Sequence, residues 1–163
     1  MKKFELTAEF VTNVFGKKLF RIKAIVAFGD VEKGELGGFI EKEDNLSHDG
    51  NAWVYGNARV FGNAQVYGNA RVYGNAQVSG DARVYDDADY AVVKGFGRCF
   101  RTTTFFRCKD KILRVQCGCF YGDLAQFREI VKKTHGDSKY AKEYLAIADL
   151  MELHFSDECG GEQ

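Results

Sequence analysis

"GNARVFGNAQVYGNARVYGNAQVSG", residues 56–80, repeats one hexamer four times with few changes. Written as A-x-V-x-G-N, the unit places alanine at 52, 58, 64, 70, 76, 82 and 88, and valine at 54, 60, 66, 72, 78 and 84. Tyr90 stands where the next valine would fall. Side chains alternate along a strand, so each alanine and the valine two residues later share a face. The following Gly-Asn tolerates positive φ and lets the chain turn at every sixth residue. Short strands separated by corners at a fixed period build a coil, the mark of a parallel β-helix.

A small residue two positions before an aliphatic one resembles the hexapeptide repeat of left-handed β-helices. The resemblance implies that three hexamers close one triangular coil and that coils stack about 4.8 Å apart. Asn51 then lies over Asn69 and Asp87, Asn57 over Asn75, and Asn63 over Asp81, with amide hydrogen bonds expected along these ladders. The outward positions carry Tyr55, Phe61, Tyr67, Tyr73 and Tyr85 beside Arg59, Gln65, Arg71, Gln77 and Arg83. Cross-strand packing explains such residues on a β surface. Aromatic and Arg enrichment also suits a contact face, so Tyr55, Phe61, Tyr67, Tyr73, Arg59 and Arg71 are the candidate self-association surface of a homodimer or trimer.

Working outward, Leu36, Ile40 and Leu46 fall on core positions of the same frame and extend it into an irregular first coil. The expected fold is mainly β: a left-handed parallel β-helix of about three coils over 36–91, needing caps at both ends. Residues 1–35 read as an N-terminal β cap, with β-branched and aromatic residues in "KKLFRIKAIVAF". Residues 92–156 read as an α+β module of three strands, turning at 95–97 and 109–111, and then two helices. Asp123 with Gln126 forms a capping box ahead of Phe127, Ile130 and Val131, and Gly136 is the stop. Tyr140, Tyr144, Ile147, Ala148 and Met151 recur at helical spacing. Residues 157–163 read as a flexible tail.

The chain has 163 residues and zero formal net charge, and its 45% hydrophobic content suffices for a core. No apolar run is long enough to span a membrane. The start "MKKFELTAEF" lacks the apolar stretch of a signal peptide, which predicts a cytoplasmic location. Five cysteines, an odd number, suit reduced and mostly buried thiols better than a disulfide framework. Cys99, Cys108, Cys117 and Cys119 could meet as a zinc site, but the usual C-x₂₋₄-C knuckles are missing, so no metal and no cofactor is expected.

Left-handed β-helices include acyltransferases and carbonic-anhydrase-like enzymes, which need histidine bases or ligands on the coils. Here His48, His135 and His154 all lie outside the regular hexamers, and no loop interrupts them to embrace a donor. The sequence therefore offers no catalytic residue, and an acyltransferase-like enzyme is the weakest reading.

Charge is unevenly placed. Residues 92–133 hold ten Lys/Arg and three Asp/Glu, an excess of seven positive charges. Residues 134–163 hold two and seven, an excess of five negative charges. The two segments either neutralise one another within the module or leave a basic surface for an acidic partner. Arg98, Arg101, Arg107, Lys109, Lys111 and Arg114 fall on adjacent predicted strands and are the candidate partner-binding residues.

The flanks "RIKAIVAFGDVEKGELGGFIEKEDNLSHDGNAWVYGNARV" and "TTTFF…CGCFYGDLAQF…THGDSKYAKEYLAIADLMELHF" resemble proteins carried by phages and prophages of Gram-positive bacteria. That group pairs a variable number of hexapeptide coils with a similar C-terminal module. The resemblance implies a non-catalytic accessory role: blocking or sequestering a host protein or ribonucleoprotein, such as a CRISPR effector, with competition for nucleic acid. A self-assembling structural scaffold is the alternative.

Overall fold

A computed structural model describes residues 2–156. The expected tail, with Cys159, lies outside the described residues. Each hexamer supplies one two-residue strand: β4 (Trp53–Val54), β5 (Arg59–Val60), β6 (Gln65–Val66), β7 (Arg71–Val72), β8 (Gln77–Val78) and β9 (Arg83–Val84). They pair in parallel at a spacing of three hexamers, β4 with β7, β5 with β8 and β6 with β9. The corners are made by Gly56, Gly62, Gly68, Gly74 and Gly80, all with φ between 58° and 67°. Every repeat alanine from 52 to 82 and valine from 54 to 84 is buried, in one continuous interior.

The stacked asparagines behave differently from the expectation. Asn51, Asn57, Asn63, Asn69 and Asn75 are exposed, and no hydrogen bond joins their side chains among the described residues. Backbone bonds such as Tyr55 N to the Val72 carbonyl (2.8 Å) and Tyr67 N to the Val84 carbonyl (3.0 Å) hold the coils instead. Amides on an outer corner stay in water and gain little from pairing.

The irregular first coil exists, with a shifted register. In β3 (Leu36–Ile40), Ile40 pairs with Val60 and Leu46 bridges Val66, two residues beyond the regular spacing. Gly50 packs against Gly68 and the Asn51 amide reaches the Gly68 carbonyl, so His48 and Asp49 are an insertion at this corner. Ile40 therefore takes a valine place, and Gly38 stands opposite Ala58. Leu36 is 54% exposed and is not a core residue, because the two-residue shift moves it out of the frame.

β1 (Phe4–Thr12) and β2 (Lys18–Ala24) form an antiparallel hairpin joined to β3, giving the sheet order β1-β2-β3-β5-β8. Phe4, Ile22, Ala24 and Val31 close one end of the solenoid interior. Four strands, one more than expected, form the antiparallel sheet at the other end: β10 (Tyr90–Phe96), β11 (Arg101–Arg107), β12 (Leu113–Cys117) and β13 (Phe120–Asp123). Phe106 and Cys108 close the interior there. Two helices follow, α1 (Leu124–His135) and α2 (Lys139–His154). The Asp123–Gln126 capping box forms with both bonds at 2.8 Å, and Gly136 ends α1 with φ 57°. Tyr144, Ile147, Ala148 and Met151 are buried with Phe127 and Val131, whereas Tyr140 and Ile130 face outward.

Candidate functional site

The site begins where β11 runs across the last coil. Gln77 N donates to Thr104 Oγ1 (2.9 Å), Ser79 Oγ donates to Gln116 Oε1 (2.7 Å), and Cys108 bridges Ala82. The turn after β11 thereby hangs over the corner Asp81–Arg83. Lys109 N donates to the Asp81 carbonyl at 2.8 Å. The Arg83 guanidinium donates to the carbonyls of Asn63 (2.9 Å), Ala82 (2.9 Å) and Asp81 (3.3 Å). These neutral acceptors fix the arginine without cancelling its charge.

The turn is rigid. Lys111 has a φ of 69° and its N–H bonds the Cys108 carbonyl at 2.8 Å. Asp110 accepts from Ile112 N (3.1 Å) and takes a bidentate pair from Arg114 (3.0 Å for each bond). That guanidinium holds the Asp110 carboxyl down at about 2 and keeps it charged and occupied. No carboxylate lies within ion-pair distance of Lys109 or Lys111 among the described residues.

The result is a cleft of about 500 Å³ lined by Tyr67, Arg83, Asp89, Arg107, Cys108, Lys109 and Lys111. Among the described residues its lining carboxylate is Asp89, which pairs with Arg107 at 3.3 Å. Burial pushes the Cys108 thiol pKa up, which makes it a wall and a poor nucleophile. Tyr67 borders the cleft with its ring edge-to-face on Tyr85 at 5.1 Å.

The six basic residues expected to act together are divided. Arg107, Lys109, Lys111 and Arg114 sit at the end of the sheet beside the cleft, with Arg114 committed to Asp110. Arg98 and Arg101 lie at the opposite end of β11, because a seven-residue strand separates its two turns. There Arg101 borders a smaller crevice of about 300 Å³ with Cys117, Cys119, His135 and Tyr144. The acidic C-terminal helix is partly neutralised inside the module, since Arg128 pairs with Asp149 (2.8 Å) and Glu152 (2.7 Å).

The expected self-association face is likewise split over three sides, because only residues three hexamers apart share a side. Tyr55 stacks on Tyr73 at 4.5 Å beside Arg71, and Tyr67 meets Tyr85 on another side. Arg59 and Phe61 are on the third, where Phe61 is buried with Leu19 and Phe39 under the N-terminal hairpin. Phe61 is therefore removed from any contact surface.

Cys99 and Cys119 are exposed, against the expectation of mostly buried thiols, while Cys108 is buried. Among the described residues no group of three or more His, Cys, Asp or Glu side chains could hold a metal ion. Cys117 Sγ accepts from Thr103 Oγ1 (3.2 Å), and Cys108 Sγ approaches the Tyr121 hydroxyl (3.9 Å), so these thiols are engaged separately. No described helix is long and apolar enough to cross a membrane.

Sequence reasoning missed Arg83 and Tyr67 as cleft residues, having counted Arg83 only in the repeat series and assigned Tyr67 to the self-association face. The available signal was that Ala82 and Val84 belong to the last regular hexamer, whose open edge the next strands must cover.

These features define a β-solenoid repeat protein whose C-terminal cap carries a basic cleft. The model of the YdcK beta solenoid repeat matches residues 52–65, 64–80 and 76–88, the same stretch that forms the paired two-residue strands. No curated protein matches the chain.

Proposed function

We propose that this chain is a non-catalytic binding protein that occupies an anionic surface of a host macromolecule. The observation that carries this reading is the cleft beside the last coil, where Arg83, Lys109 and Lys111 meet next to the Arg107–Asp89 pair among the described residues. The Arg83 guanidinium, held by three backbone carbonyls, attracts an anion with little ordering cost on binding. Lys109 and Lys111 add charge from a hydrogen-bonded turn. A phage or prophage origin, the bacterial cytosol as the place of action and a defence ribonucleoprotein as the target follow from the resemblance of the flanks. In the same reading the solenoid is left-handed with about three coils, as in hexapeptide proteins. Affinity capture from host lysate tests the proposal: the native protein retains a partner that Lys109→Glu/Lys111→Glu loses, with unchanged thermal stability. Equal capture by both proteins sinks it.

The open side bearing the Tyr55–Tyr73 stack supports a second reading, a self-assembling scaffold. It requires a dimer or trimer by light scattering that Tyr55→Lys/Tyr73→Lys converts to monomer, and a native monomer at high concentration excludes it.

A further inference from the structure

We infer that the basic cleft is a site for a nucleoside phosphate, with the phosphate among Arg83, Lys109 and Lys111 and the base against the Tyr67 ring. This rests on the reading of the cleft as an anion-binding surface and narrows it to one ligand chemistry.

Three properties favour this ligand over an acidic protein face. The first is charge density. The Arg83 guanidinium and the Lys109 backbone amide share one acceptor, the Asp81 carbonyl, and Lys111 follows in the same four-residue turn, so three cationic residues border one cleft. Several cations gathered around so small a volume suit the multiple charges of a phosphate or diphosphate better than single carboxylates spread along a peptide. The second is size. At about 500 Å³, the cleft falls within the range of about 300–1,000 Å³ usual for small-ligand sites. An adjoining cleft shares Arg83 and Lys109 and adds Lys42 beside Asp44 and Asp81. The third is the aromatic wall. Tyr67 is half-buried and braced by Tyr85, so one ring is held in place where a base can stack without ordering a free side chain.

The ligand has two sources with the same chemistry, a free nucleotide or the phosphorylated end of a single strand. Calorimetric titration of the full chain with ADP, a 5′-phosphorylated tetranucleotide, its 5′-hydroxyl counterpart, inorganic pyrophosphate and hexaglutamate separates them. We expect ADP or the phosphorylated tetranucleotide to bind, and the tighter of the two identifies the source. Tyr67→Leu weakens that binding by about 5- to 30-fold, as expected for one lost stacking contact, and leaves pyrophosphate unaffected; Tyr67→Phe restores it. Lys109→Ala/Lys111→Ala weakens nucleotide and pyrophosphate alike. If ADP binds no better than pyrophosphate and Tyr67→Leu changes nothing, base recognition is overturned while the anion cleft stands. Binding of hexaglutamate in place of every nucleotide probe also overturns it, in favour of an acidic peptide. Silence from every probe, with lysate capture still dependent on Lys109 and Lys111, again refutes the nucleoside site alone. Capture independent of those lysines removes the underlying reading.

Discussion

The Arg83 guanidinium and the Lys109 amide donate to one acceptor, the Asp81 carbonyl, at 3.3 and 2.8 Å. That shared oxygen joins the last solenoid corner to the first turn of the cap. It also sets two cationic side chains, one from the repeats and one from the module, on the rim of a single cleft. Neither part has the site alone.

The solenoid interior is packed to small, fixed volumes. Val72 is fully buried, so Val72→Ala should cost about 2 kcal/mol in denaturant unfolding, from two lost methyl groups and the cavity they leave. Ala70→Leu should destabilise by about 1–3 kcal/mol through overpacking. Gly38→Ala should be at least as damaging, because an added Cβ would lie 2.6 Å from the Ala58 carbonyl and 2.7 Å from Val54 Cγ1.

Tyr90 completes the last coil with its side chain. Its hydroxyl donates to the Arg71 carbonyl (2.6 Å) and accepts from Tyr73 N (3.2 Å), bonds that the next strand would otherwise supply. Tyr90→Phe leaves both backbone groups without that partner and should lower stability by about 1–2 kcal/mol. The amide of Tyr73 should then exchange with deuterium faster than that of Tyr55, which keeps its bond to the Val72 carbonyl.

Lys3 gives a pH signature. Its ammonium is buried, donates to the carbonyls of Ala52 (2.8 Å) and Gly50 (3.2 Å), and lies over the Phe28 ring. Burial lowers its pKa from 10.5 to about 8, with Asp49 opposing the shift. Between those values the unfolded chain holds a proton that the folded chain has released, so Lys3 makes stability rise with pH from about 8. The buried Cys108 thiol, which ionises first in the unfolded chain, opposes this rise above pH 9. Burial raises the phenols of Tyr90, Tyr121 and Tyr144, which reverses the slope above pH 10, where the unfolded chain ionises first. Urea unfolding at pH 7.5 and 9.5 checks this: Lys3→Met should abolish the rise. An equal rise in the variant would assign it to another group.

The thiols should react in order of exposure. Brief alkylation followed by peptide mapping should label Cys99 and Cys119 first and Cys108 last, since burial both shields that sulfur and disfavours its thiolate.

The solenoid was legible because its core is written at one alanine and one valine per hexamer, a pattern that no tertiary contact overrides. The distribution of outward residues was misread because neighbouring repeats look alike in sequence yet turn onto different sides; Tyr55 and Tyr73 share a side, Tyr55 and Phe61 do not. The His48–Asp49 insertion lies outside the regular hexamers and left no periodic trace, which misplaced Leu36. The strand β13 was hidden by its length of four residues next to a capping box. In the cleft, Arg107, Lys109 and Lys111 were visible as charge, but their meeting with Arg83 depends on how the cap docks, a long-range relationship that local pattern does not encode.

Lysine footprinting of the captured complex tests the central claim most directly. Acetylation rates of individual lysines are compared in the free protein and in the complex by mass spectrometry. Lys109 and Lys111 should be protected at least about tenfold, the scale of a desolvated charge contact. The exposed Lys17, Lys33, Lys132 and Lys133 should acetylate at their free rates. Unprotected Lys109 and Lys111, with protection appearing at any of those other lysines instead, would place the partner elsewhere and contradict the account.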